Sequence, residues 1–190
     1  MATLPLPRVE ILDLQQVRSK HLAALFEEEA EEWREQLRWD YKPSAGLIRK
    51  HIDARSLPGY VALVDGQVAG YCFFVHDESA ESPTPGAQKG LLGDLYVRRA
   101  YRPPPTPGFQ AGAAPQAGLA TQLLEHALET LETSPGVTRI EAQLMPFGNE
   151  PLAPIFLAHD FRSYPRLFMY RDLKEPSSIP PGRGPPTSLR

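Results

Sequence analysis

Gln116-Ala117-Gly118-Leu119-Ala120-Thr121 is the segment of this chain best suited to hold a phosphate. It opens a predicted helix. The first N–H groups of a helix have no intrahelical partner and sit at the positive end of its dipole. With Gly118 and Ala120 at the start, an anion reaches those N–H groups without meeting a large side chain. Other constellations carry less chemistry. His21, His51, His76, His126 and His159 have no metal-ligand spacing, and no Gly-x-Ser-x-Gly elbow is present. The single cysteine, Cys72, lies in the apolar run Tyr71-Cys72-Phe73-Phe74-Val75, which reads as a buried thiol rather than a nucleophile.

The elements that must position this segment follow from periodicity. Arg8 to Leu12 reads as a strand. Asp13 and Gln16 form a capping-box pattern ahead of a helix with Leu22, Leu25, Phe26, Ala30, Trp33 and Leu37 at helical spacing. Glu27-Glu28-Glu29 and Glu31-Glu32 read as the solvated side of that helix. Ser44 caps a second helix with Leu47, Ile48 and Ile52 on one face. Tyr60–Val64 and Gln67–Val75 are strands joined by Asp65-Gly66, a hairpin signal because both turn positions need positive φ. A polar loop over Asp77–Lys89 leads to a strand over Gly90–Val97. An irregular stretch from Arg98 to Pro115 follows, long enough to be functional or disordered. A helix over Gly118–Thr133, a strand over Val137–Met145, a helix near Glu150–His159 and a strand near Arg166–Leu173 complete the order β-α-α-β-β-β-α-β-α-β. That order predicts a mixed sheet with helices on both faces and excludes a doubly wound parallel fold.

Composition is that of a globular protein: 190 residues, 42% hydrophobic and 23% charged. The net charge of −3 makes no case for nucleic acid as a partner. No apolar run reaches the roughly 20 residues of a membrane span, so a soluble, cytoplasmic protein is expected. Residues 1–175 read as one domain and 176–190 as a Pro-rich disordered tail. The 21 prolines gather largely in loops and in that tail, where they remove no ladder hydrogen bonds.

With these residues in this order, the chain resembles the GNAT superfamily of acyl-CoA-dependent N-acyltransferases over about Val9–Leu173. Leu95-Tyr96-Val97 with Tyr101-Arg102 resembles the end of that family's fourth strand. Gly118-Leu119-Ala120 resembles the second half of its pyrophosphate motif, R/Q-x-x-G-x-G/A. Asn149-Glu150 through His159-Asp160-Phe161 resembles its N-E…Y…G-F helix. The chain departs from the pattern in three places. Pro103 to Pro115 separates Arg102 from the glycine motif, Pro115 stands at its head with Gln116 one place late, and Phe156 and Asp160 replace the usual tyrosine and glycine.

The resemblance implies an α/β (α+β) fold, with a mostly antiparallel central sheet of six to seven strands flanked by helices on both faces. It implies acetyl-CoA as cofactor, held by Leu95, Tyr96, Val97, Arg102, Gln116, Ala117, Gly118, Leu119, Ala120, Thr121, Asn149 and Phe156. It implies acetyl transfer to a primary amine of a small molecule or peptide by direct attack, with a backbone N–H near Leu95 or Tyr96 meeting the oxyanion. By position Asp94 is the candidate base; the alternative is that it only holds a neighbouring backbone group or arginine. The acceptor region contains Trp39, Asp40 and Tyr41, aromatic faces with a carboxylate that suit a cation. The competing reading is a catalytically weak acyl-CoA-binding module on the same fold. Assembly as a homodimer is left open.

Overall fold

Asp65 and Gly66 both have positive φ, 48° and 79°, as the hairpin demanded. The turn joins β2 (Gly59–Val64) to β3 (Gln67–Asp77). The computed structural model describes residues 7–37, 45–77, 88–102, 118–142 and 152–162. Within them the order is β1 (Val9–Asp13), α1 (Ala23–Leu37), α2 (Ala45–Asp53), β2, β3, β4 (Gln88–Val97), α3 (Leu119–Thr133), β5 (Val137–Ala142) and α4 (Leu152–Ala158). Five strands lie in the order β1-β2-β3-β4-β5. All neighbours are antiparallel except β4 and β5, which run parallel across the α3 crossover. The expected strand at 166–173 and the loop at 103–115 lie outside the described residues, so the count of six to seven strands becomes five among them.

Each sheet face carries its own core. On one, Leu123, Leu124, Ala127 and Leu131 of α3 and Ile155 and Phe156 of α4 cover Cys72, Phe74 and Leu92. On the other, Leu22, Leu25, Phe26 and Ile52 cover Val61, Tyr71 and Tyr96. Leu123, Leu124 and Leu131 are fully buried, each worth about 1.5–3 kcal/mol. Among the described residues no helix is long and apolar enough to cross a membrane.

Three local expectations change. Asp13 caps a short 3-10 turn at Leu14–Gln16 through the Gln15 N–H, and α1 starts only at Ala23. Leu47 of α2 is exposed while Ile52 is buried, because the short helix turns only part of its apolar face inward. Glu29 and Glu32 are not solvated: each is 1% exposed.

Gly59 shows how tightly β2 and β3 approach. A Cβ there would strike the Cys72 carbonyl oxygen and lie 2.8 Å from Phe73 Cα, both backbone atoms that cannot rotate away. Gly59→Ala is therefore expected to cost about 3 kcal/mol, at the upper end of overpacking penalties. A urea melt reads it directly, and an unchanged midpoint would show that the strands part without cost.

Candidate active site

A bulge aims the central carboxylate. Phe73 pairs with Asp94 and Phe74 with Leu92, so Gly93 is one extra residue in β4. Before the bulge Leu92 faces the α3 core; after it Leu95 faces that core and Tyr96 the α1 core. In a regular strand Asp94 would share the face of Leu92. The extra residue turns it to the α1 side. Gly93 permits this because a Cβ there would fall on the Phe73 ring, 2.7 Å from Cδ2.

On that side Asp94 meets two partners. Tyr71 donates its hydroxyl to Asp94 Oδ2 at 2.6 Å and lies 3.1 Å from Glu29 Oε2. Glu29 and Asp94 thus converge on one tyrosine hydroxyl. Burial, then the charge of Asp94, pushes the Glu29 carboxyl well above the usual carboxylate range. Burial also raises Asp94, and hydrogen bonds from Glu29, Tyr71 and the Leu95 N–H hold it back. Asp94 remains partly accessible while Glu29 is sealed. Neither Glu29 nor Tyr71 was among the expected site residues.

Below this lies a cationic lock. Arg102 forms a bidentate pair with Glu32 at 2.7 Å per arm, its Nε donates to the Val97 carbonyl at 2.6 Å, and its guanidinium stacks 5.0 Å from the Tyr96 ring centre. Tyr96 donates to Glu32 at 2.9 Å. Arg98 pairs with Glu28, and Arg99 with Glu35. The side chains of Arg102 and Tyr96, both expected at the cofactor, fix α1 to the end of β4.

Leu92 pairs with Ala142, where the described part of β5 ends. β4 pairs with β5 only over Gln88–Leu92, so among the described residues Leu95–Val97 have no partner on that edge. The Arg98 N–H bonds the Ala69 carbonyl of β3 at 2.8 Å. Antiparallel alternation then turns the Tyr96 N–H towards β3 and the Leu95 N–H to the open edge. Of the two expected oxyanion donors only Leu95 faces outward, and it now donates to Asp94 Oδ1 at 2.9 Å.

The start of α3 stands next to this edge. Val97, Leu119, Ala120 and Leu123 share one core, at the carboxyl end of the parallel pair, where open sheets bind ligands. Gly118 is the N-cap with no side-chain cap bond. The first intrahelical bond is from Gln122 N to Gly118 O at 3.2 Å, which leaves the N–H groups of Leu119, Ala120 and Thr121 without a helical acceptor. Thr121 Oγ1 is buried and has no partner among the described residues. An orphaned hydroxyl beside orphaned N–H groups fits a pyrophosphate. Phe156 is 3% exposed and packs edge-on against Phe161 at 5.0 Å, so its ring belongs to the core. Gln116, Ala117, Asn149, Trp39, Asp40 and Tyr41 lie outside the described residues. Burial of Cys72 pushes its thiol up, leaving it inert as a nucleophile.

The fold is similar to that of solved structures. An aminoglycoside N-acetyltransferase in complex with CoA superposes with a TM-score of 0.57 at 16% identity, covering 90% of this chain and 99% of that one. A ribosomal-protein-alanine N-acetyltransferase from Brucella melitensis gives 0.52 at 15%, covering 89% and 99%. A Trypanosoma brucei acetyltransferase gives 0.56 at 16%, covering 87% and 100%. The chain has the GNAT fold. No family model and no curated protein matches its sequence. At these identities the likeness to GNAT structures is one of fold.

Proposed function

We propose that this protein is an acetyl-CoA-dependent N-acetyltransferase that acts on a primary amine of a small molecule or peptide. The observation that carries the reading is the start of α3 beside the end of β4, where Gly118 makes no side-chain cap bond and Leu119 to Thr121 have no helical acceptor. The CoA complex of a structural neighbour supports it. When bound, acetyl-CoA supplies the acetyl thioester. The chain supplies the rest. The N–H groups of Leu119 to Thr121, with Thr121 Oγ1, hold the pyrophosphate. The open edge of β4 orients the pantetheine arm. A lysine-like amine has a pKa of about 10.4 and must lose a proton before attack. Asp94, partly accessible at the bulge, accepts that proton, and the Leu95 N–H on its Oδ1 holds the carboxylate in place. A thiolate leaves with a pKa near 8.5, so transfer does not need a tyrosine at position 156.

Phe156 favours the second reading, an acyl-CoA-binding module, because its buried ring donates no proton. Gly118→Asp tests the shared premise. Aspartate is a strong N-cap, so the helix keeps or gains stability. Its carboxylate would take the same N–H groups and repel the phosphates. Calorimetry should show acetyl-CoA binding lost with the melting temperature held; unchanged affinity would remove α3 from the cofactor site. CoA release over a panel of primary amines then separates enzyme from module. Binding with no turnover on any amine favours the module.

A further inference from the structure

We propose that Glu29 is a positioning residue of the same site: it shares one proton with Asp94, so that the pair carries a single negative charge on the oxygen facing the acceptor. This rests on the reading of Asp94 as the base. Geometry carries it first. One tyrosine hydroxyl has one proton, yet Tyr71 lies between two carboxyl groups, 2.6 Å from Asp94 Oδ2 and 3.1 Å from Glu29 Oε2. The short bond is a donation to Asp94. With that proton directed at Asp94, the 3.1 Å contact between the Tyr71 oxygen and Glu29 Oε2 needs a proton of its own, and a protonated Glu29 supplies it. Glu29 is the one sealed from solvent, at 1% exposure, where a charged form is most disfavoured.

The surroundings agree. Among the described residues the charged group beside the pair is Glu32 one turn along α1, held by Arg102, while the Cys72 thiol of β3 lies on the opposite sheet face. From α2, Arg49 stacks over Phe26 at 5.7 Å. Glu32 adds repulsion to a charged Glu29. A neutral Glu29 is then a hydrogen-bond donor to Tyr71, whose own hydroxyl stays on Asp94 and counters the upward push of burial there. The arrangement favours the ionised form of Asp94 despite its burial.

The test compares Glu29→Gln with Glu29→Leu. Glutamine keeps a neutral donor; leucine is of similar volume and donates nothing. The probe is the fastest amine of the panel, with acetyl-CoA saturating. Glu29→Gln should keep the acid limb of the kcat/KM profile where it is. Glu29→Leu should move that limb upward, with rates about tenfold lower at pH 6 and recovering by pH 9. A merely structural residue would lower the melting temperature of both variants and move neither limb, and that result overturns the proposal. A second readout needs no acceptor and no leucine variant. Infrared difference spectra of wild type against Glu29→Gln at pH 7 should show one protonated carboxyl band that Glu29→Gln removes. Its absence overturns the shared proton. Full activity in Asp94→Asn would instead overturn the base on which the proposal rests.

Discussion

Asp94→Asn is expected to lower kcat by about 10²–10⁴-fold, the usual share of a general base. Acetyl-CoA affinity should barely change, because the cradle at Gly118 to Thr121 lies on another element. Asparagine keeps the shape of the side chain and the Tyr71 hydroxyl still finds an oxygen, so the fold should hold. What is lost is an atom that accepts the amine proton. The sign of the pH dependence follows from the folded pKa. Burial raises Asp94, and the bonds from Glu29, Tyr71 and the Leu95 N–H lower it again; the net direction is upward. The base works ionised, so wild-type activity should fall as pH drops through that raised value, nearer neutrality than for an exposed aspartate. The variant should lose this limb and turn over at a low rate. The measurement is the pH–rate profile of both proteins on one working amine. Coincident profiles would leave positioning alone as the source of rate.

Much of the fold was legible, because its signals are local. Asp65-Gly66 announced a turn that only two positive φ values satisfy, and the stripe Leu119, Leu123, Leu124, Ala127, Leu128 and Leu131 is the buried face of α3. The site was half legible. Asp94 was visible by position, but its direction was not, since one residue in β4 inverts the face of everything after it. Gly93 inside a strand pattern was the available signal, as an isolated strand glycine marks a bulge. Glu29 and Glu32 were missed because glutamate is rarely buried. Their spacing was still informative. Positions 22, 25, 26, 29 and 32 follow the helical stripe, and that stripe faces the sheet. Charge type outweighed periodicity, and periodicity was the better guide. Arg102, expected at the cofactor from the family resemblance, has a partner the sequence did not show: Glu32 of α1, 70 residues away.

Arg102→Leu should therefore destabilise the protein by about 3–5 kcal/mol, the cost of breaking a buried ion pair from one side. Both partners are sealed, with side-chain exposures of 5% and 2%. Without the guanidinium, Glu32 keeps the Tyr96 hydroxyl and an Arg99 Nε at 3.8 Å. Burial alone would raise its pKa; in the wild type the Arg102 bonds and charge outweigh burial and hold it below the usual range. A lowered folded pKa gives stability that is present above the unfolded value of about 4.5 and is lost as pH falls through the folded one. In Arg102→Leu that contribution is absent and burial dominates, so the deficit should be largest near pH 7 and shrink on acidification, as Glu32 takes up a proton. Urea melts at pH 7 and pH 4.5 read both effects. The double variant Glu32→Leu/Arg102→Leu should recover much of the loss, since a well-packed apolar pair replaces a buried ion pair at little cost. Arg102→Lys separates structure from binding. A lysine keeps the charge but not the fork that spans both Glu32 oxygens and the Val97 carbonyl. It should lose stability while keeping acetyl-CoA affinity in calorimetry. A loss of affinity in a variant that still melts like the wild type would return Arg102 to the phosphates and leave the Glu32 lock as the lesser of its roles.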